Sequence, residues 1–162
     1  VKRQDLALEA LRYTRNPVQV YFTGVADEAG YEQELRALAQ RLEVNGRVRW
    51  IGTVSEEEKV AYYARSLGVV FPPVDEDLGY VTLEAMLASK PVITCVDSGG
   101  PLEFVLPWKT GLVVEPTGRA LADAMDLLWE DRARAAAWGR AAREHYASLK
   151  ISWQNVVQEL LA

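Results

Sequence analysis

The chain has 162 residues, enough for one domain with a proper core, and carries a net charge of −5. Half of it is apolar and a quarter charged, as in a water-exposed globular protein, and the acidic balance excludes a basic footprint for nucleic acid or anionic lipid. A single cysteine, Cys95, excludes an internal disulfide framework, and no apolar run approaches the ~18 residues of a membrane span.

Residues 2–15 set Leu6, Leu8, Ala10 and Leu11 among charges, an amphipathic helix that Asn16-Pro17 ends. VQVYFTG at 18–24 reads as a strand. Residues 30–44 place Tyr31, Leu35, Leu38 and Leu42 on one helical stripe, with Asn45-Gly46 as its stop. RVRWIG at 47–52 is a short strand. Ser55 followed by Glu56, Glu57 and Glu58 is a capping-box helix start whose glutamates suit the helix dipole. LGVVF at 67–71 reads as a buried strand stopped by Pro72-Pro73, PVITCV at 91–96 as another, and GLVVE at 111–115 as the last. Between them a helix begins near Tyr80, and Ser98-Gly99-Gly100-Pro101 opens a short one with proline at an early position. From about 117 to 162 the chain is helical by composition. Strands alternating with helices predict a Rossmann-like parallel sheet with helices on both faces. Such sheets usually begin with a strand. This sequence begins with a charged helix and no methionine, so a first strand is expected upstream and the chain reads as a fragment of something larger.

The rest is organised around residues 76–89, EDLGYVTLEAMLAS. Asp77 and Gly79 favour a loop, so Glu76 is expected on a loop and Glu84 in the first turn or so of a helix. Both would face a cleft beyond the strand ending near Phe71, because open parallel sheets bind ligands at the carboxyl ends of their strands. Four turns emerge there: Gly24-Val25-Ala26, Gly52-Thr53-Val54, Pro72 to Gly79, and Asp97 to Pro101. In the last, Gly99 and Gly100 would let an anion approach the backbone at a helix start; a plain turn is the alternative. The carboxylates read in several ways. A general acid/base pair would need one pKa raised by burial. Metal ligation would want His, Cys or more carboxylates nearby, and the only histidine, His145, lies far off on a C-terminal helix, read as a surface residue. Ionised carboxylates also accept hydroxyl groups, as in ribose or sugar diols, or simply pair locally and meet solvent.

The spacing Glu76-x7-Glu84 resembles the E-x7-E signature of retaining GT-B glycosyltransferases, particularly the large family 4. WIGTV at 50–54, VVFPP at 69–73, KPVIT at 90–94, DSGGPLEFV at 97–105 and TGLVVEP at 110–116 agree in order and spacing, and ISWQNVVQELL resembles that family's C-terminal tryptophan helix. The resemblance implies the C-terminal half of a GT-B fold, with residues 1–162 as a nucleotide-sugar-binding domain. It implies that Glu84 accepts ribose hydroxyls and that Glu76 faces the donor sugar. Gly79, between the two glutamates, falls within the donor-binding set. Amides around Gly99 and Gly100 would meet the diphosphate or the transferred sugar, and Thr53 and Val54 the base. Lys2 matches the lysine that, with an upstream arginine absent here, neutralises the leaving diphosphate. The commoner motif is EGFG, where this chain has Glu76-Asp77-Leu78-Gly79, and Pro73 replaces the usual serine.

The implied substrate is a nucleotide sugar (UDP-, GDP- or ADP-linked), with no cofactor and no metal ion at the diphosphate. The implied partner is an N-terminal acceptor-binding domain outside this chain, in a cytoplasmic enzyme or one peripheral to the inner face of a membrane. A fragment of this kind would bind donor weakly and transfer nothing by itself. Two alternatives stay open: a non-catalytic nucleotide-binding module and a sugar-nucleotide epimerase of GT-B shape. Cys95 reads as a buried strand thiol. Trp50, Trp129, Trp138 and Trp153 read as packing residues, with Trp108 in a loop near the anion site.

Overall fold

The structure is a computed structural model that describes residues 2–25 and 30–151; Ala26 of the first turn and the Trp153 helix lie outside them. In chain order the elements are α1 (Gln4–Tyr13), β1 (Val20–Thr23), α2 (Tyr31–Arg41), a 3-10 turn (Asn45–Arg47), β2 (Val48–Gly52), α3 (Glu56–Arg65), β3 (Val69–Val70), α4 (Tyr80–Leu87), β4 (Val92–Cys95), α5 (Pro101–Phe104), β5 (Gly111–Val114), α6 (Gly118–Glu130) and α7 (Arg132–Ser148). All strand pairs are parallel, β1 with β2 and β4 between β3 and β5. The ladder is thus in two parts. The division falls where a 3-2-1-4-5-6 strand order would place its first strand.

Period-two alternation sorts the side chains of the three-stranded ladder to two faces. Val70, Ile93, Cys95, Leu112 and Val114 meet α1, α6 and α7 through Leu6, Ala10, Leu121, Met125, Leu128 and Trp138. Val69, Val92 and Val113 turn the other way, to Tyr63 of α3 and to Val81 and Ala85 of α4. Helices therefore cover both faces, as expected. A further core joins Leu8 and Leu11 of α1 to Leu35 and Ala39 of α2 and to Val48. The expected stripe of Tyr31, Leu35, Leu38 and Leu42 faces this cluster.

The sequence places most element starts well because their signals are local. Ser55 accepts from the Glu58 amide while the Glu58 carboxylate accepts from the Ser55 amide, closing the expected capping box. Other local signals mislead. Glu43, at φ 58, ends α2, with Val44 N–H bonded to Ala39 O and Glu43 N–H to Gln40 O. That is a Schellman stop two residues before Asn45-Gly46, which instead form the 3-10 turn. β3 is shorter than expected and half-buried rather than buried. His145 is also half-buried, with its Nε2 enclosed and unbonded among the described residues.

Trp108 is 64% exposed and meets Trp138 edge-on at 5.9 Å. It precedes β5, so it lies at the amino-terminal end of the strands, away from the turn of Asp97 to Pro101 that it was expected to neighbour. Trp138 is buried, Trp50 stacks on Phe22 at 5.1 Å, and Arg132 covers Trp129, all in packing roles.

Buried Asp126 of α6 anchors the far end of α1. Its carboxylate accepts from the Arg15 amide at 2.8 Å, the Asn16 amide at 3.0 Å and the Asn16 side chain at 2.9 Å. Burial pushes the Asp126 pKa up, but these donors and the Arg15 charge outweigh it and hold the carboxyl below its usual range.

Candidate functional site

The carboxyl ends of β3 and β4 continue past the ladder as two loops that stay zipped together. Asp75 N–H bonds to Asp97 O at 3.0 Å, Glu76 N–H to Ser98 O at 3.1 Å, and Gly100 N–H to Glu76 O at 2.6 Å. Glu76 and Gly99 form a parallel bridge. This fixes the Glu76 backbone while its half-buried side chain has no hydrogen-bond partner among the described residues.

The two glycines serve this junction. Gly99 has φ 70, and a Cβ there would lie 2.6 Å from Glu76 O. A Cβ on Gly100 would fall 2.8 Å from the Asp77 carbonyl carbon and 2.9 Å from Leu78 Cα. The space that was read as room for an anion is filled by the Glu76–Leu78 backbone. The Gly100, Leu102 and Glu103 amides are likewise taken, by Glu76, Gly99 and Gly100 carbonyls. Gly79 is required twice over: it caps α4 at φ 74, and a Cβ would meet the Pro101 ring at 2.8 Å.

At the same edge α1 begins. Arg3 has φ 47 and ψ 50, the left-handed region, and makes no side-chain cap to its own helix; that backbone costs a non-glycine residue about 1–2 kcal/mol. Its side chain reaches instead into the two loops. Nε donates to Pro72 O at 2.6 Å and Nη2 to Pro73 O at 2.6 Å, while Nη1 and Nη2 grip the Asp97 carboxylate at 3.0 and 2.6 Å. Only 15% of the Arg3 side chain is exposed, against 42% for Asp97. The bound guanidinium holds the Asp97 carboxyl below the usual carboxylate range. Lys2, next in line, is exposed.

Glu84 stands one turn into α4, slightly deeper than expected, with its side chain 36% exposed. Lys59 Nζ donates to Glu84 Oε1 at 2.9 Å and the Tyr63 hydroxyl to Oε2 at 2.9 Å. Lys59 also pairs with Glu56 at 3.0 Å, on a first turn of α3 whose three glutamates are all exposed, as expected. The bonds to Glu84 and then Glu56 raise the Lys59 pKa; burial and then the Glu84 bond raise that of Tyr63. Each donor occupies one position on a carboxylate that offers about four, so Glu84 keeps acceptor capacity beyond these two bonds. Thr53 is exposed and Val54 half-buried at the end of β2, on the segment leading into α3.

Glu76, Gly79, Gly99 and Gly100 thus meet at one junction, Lys2 is next in sequence to the Arg3 that reaches it, and Glu84 lies a turn along the helix that starts there. Sequence reading missed Arg3, Asp97, Lys59 and Tyr63. The i,i+4 spacing of Lys59 and Tyr63, which puts both on one face of α3, was the available signal. Among the described residues no three His, Cys, Asp or Glu side chains are grouped to hold a metal ion, and no helix is long and apolar enough to cross a membrane.

Fold and site together define an open α/β protein with its ligand edge at the carboxyl ends of parallel strands. The profile of the family described as glycosyl transferases group 1 matches residues 1–145, and the chain belongs to that family. It is 36% identical over 169 aligned residues to a GDP-mannose-dependent alpha-(1-6)-phosphatidylinositol monomannoside mannosyltransferase of Mycobacterium tuberculosis, covering 98% of this chain and 43% of the relative. It is 35% identical over 111 residues to alpha-1,3/1,6-mannosyltransferase ALG2 of Dictyostelium discoideum, covering 68% and 26%. Anabaena Alr3699/HepE, solved in complex with UDP, superposes with a TM-score of 0.86 at 25% identity over 99% of this chain and 44% of that one. Sucrose-phosphate synthase from Thermosynechococcus elongatus superposes at 0.82 with 26% identity, covering 96% and 40%. The chain therefore spans less than half the length of these relatives, and its Rossmann-like, GT-B class fold is the one expected.

Proposed function

We propose that this chain is the donor-binding half of a retaining glycosyltransferase, which moves a sugar from a nucleotide diphosphate sugar to an acceptor hydroxyl. The observation that carries the reading is Glu84. Its carboxylate is oriented by Lys59 and Tyr63, half-exposed, and left with acceptor positions at the sheet's ligand edge. Membership of the family and the UDP and UDP-glucose complexes of the Anabaena neighbour support a nucleotide-sugar donor.

In this reading the ribose diol donates to Glu84, and Thr53 and Val54 border the base. Glu76, its backbone fixed and its carboxylate without a hydrogen-bond partner among the described residues, takes hydroxyls of the sugar. Gly79, Gly99 and Gly100 bring the loops close enough for this without side chains in the way. As the glycosidic bond breaks, charge grows on the departing diphosphate, and Lys2 stabilises it where it develops. No metal ion is required for that role. The acceptor binds an N-terminal domain outside this chain, and the whole enzyme works in the cytoplasm or at the inner face of a membrane.

Calorimetric titration with UDP-, GDP- and ADP-sugars tests the reading on the chain itself. One nucleotide series is expected to bind, and Glu84→Gln to weaken it roughly tenfold or more, the worth of a charged hydrogen bond. Binding of no donor, or binding indifferent to Glu84, overturns the assignment in favour of a non-catalytic module.

A further inference from the structure

The N-terminal turn of α1 is held in an unusual way. A helix start ordinarily satisfies its free amides with a side chain from its own cap residue. Here the cap residue is Arg3, in left-handed backbone; its carbonyl accepts from the Leu6 amide at 3.2 Å, but its side chain makes no cap to its own helix. Its guanidinium spans instead to acceptors 69 to 94 residues along the chain. Those acceptors belong to both donor-edge loops: the Pro72 and Pro73 carbonyls after β3, and the Asp97 carboxylate after β4. Only a planar fork with several fixed donors can reach two carbonyls and a bidentate carboxylate together; a lysine ammonium cannot. Asp97 neutralises Arg3 and the carbonyls take its other donors; Lys2 beside it is exposed.

We propose that Arg3 is the positioning residue of the donor site. Its guanidinium locks the first turn of α1, and Lys2 with it, to the loops that carry Glu76 and Gly99, so that diphosphate cation and sugar-facing loops form one rigid unit. This deepens the reading of Lys2 and Glu76 given above and rests on it. The three inter-loop hydrogen bonds of Asp75, Glu76 and Gly100 lie just beyond the Arg3 contacts. They are the natural reporters of whether the clamp holds.

Two measurements on the full chain test the proposal. The first is hydrogen–deuterium exchange of wild type, Arg3→Gly, Arg3→Lys and Asp97→Asn. Glycine is chosen because it accepts φ 47 freely, so the variant removes the fork without leaving strained backbone behind. Exchange at 74–79 and 97–104 is expected to quicken about tenfold in all three variants, with β5 and α6 unchanged. Unchanged loop exchange overturns the clamp, whatever the chain binds. The second compares the affinity of a nucleoside diphosphate with that of its parent nucleoside, for whichever base the wild type accepts. Arg3→Gly is expected to lose about tenfold on the diphosphate, as Lys2→Ala does, with the nucleoside unaffected and no further loss in the double variant. Arg3→Lys should not restore it. Equal weakening of both ligands, or additive losses, would reduce Arg3 to a structural residue and overturn the positioning role. If the wild type binds no nucleotide, the donor reading falls with everything built on it, and the exchange result still decides the clamp.

Discussion

Gly100→Ala separates two accounts of the glycine pair. If Gly100 were small to admit a ligand, its Cβ space would be open in the unliganded protein. In the structure that space holds the backbone of Asp77 and Leu78, and backbone cannot swing aside as a side chain can. Gly100 sits at φ −47 and ψ −37, a conformation alanine adopts without strain, so the cost is steric alone. Relief requires the two loops to part by about an ångström to reach ordinary contact. That would break the bond from Gly100 N–H to Glu76 O and strain those from Asp75 and Glu76 to the opposite loop. At a net ~0.5–1.5 kcal/mol each, the three come to about 3 kcal/mol if all are lost. The lower chain entropy of unfolded alanine returns ~0.4–1 kcal/mol. The expected net destabilisation is about 2 kcal/mol, or roughly 4–8 °C in Tm for a chain of this size. Urea titration with linear extrapolation reads it directly, with the slope unchanged because the surface exposed on unfolding is the same. Gly46→Ala is the control: a Cβ there meets nothing within 4 Å, and the variant should be neutral or slightly stabilised. A Gly100→Ala protein as stable as wild type would refute the loop-packing account and return the position to the ligand.

Asp126→Ala should cost about 3 kcal/mol, because it strands the Arg15 and Asn16 amides against a buried site. The Asp126 pKa is depressed in the fold, so this stabilisation is complete above the unfolded carboxyl value and is lost as pH falls through the folded one. The wild-type advantage in urea titrations should therefore shrink below about pH 4; an advantage that grew on acidification would contradict the assignment. Cys95 is fully buried, with its pKa pushed up to about 11, chiefly by desolvation. Ellman's reagent at pH 8 should label it only on the timescale of unfolding, and rapid stoichiometric labelling of native protein would show the thiol to be accessible.

The capping box at Ser55 and Glu58, the apolar runs of β4 and β5 and the proline opening α5 are short-range signals, and they were legible because a few neighbouring residues determine them. The same holds for the order of strands and helices and for the separation of Glu76 on a loop from Glu84 on a helix. Local stops are weaker: Glu43 in left-handed backbone ended α2 where Asn45-Gly46 had seemed the natural residues. What only the tertiary structure decided is which distant groups meet. Lys59 and Tyr63 reach Glu84 from another helix, Arg3 reaches Pro72, Pro73 and Asp97, and Trp108 joins Trp138 at the opposite end of the strands. Gly99 and Gly100 carried a correct local message, that something comes close, but nothing local could say whether a ligand or the chain's own backbone fills the space. Side-chain periodicity reports which face of an element is buried. The partner on that face depends on the summed geometry of every loop between, and no single segment of sequence contains it.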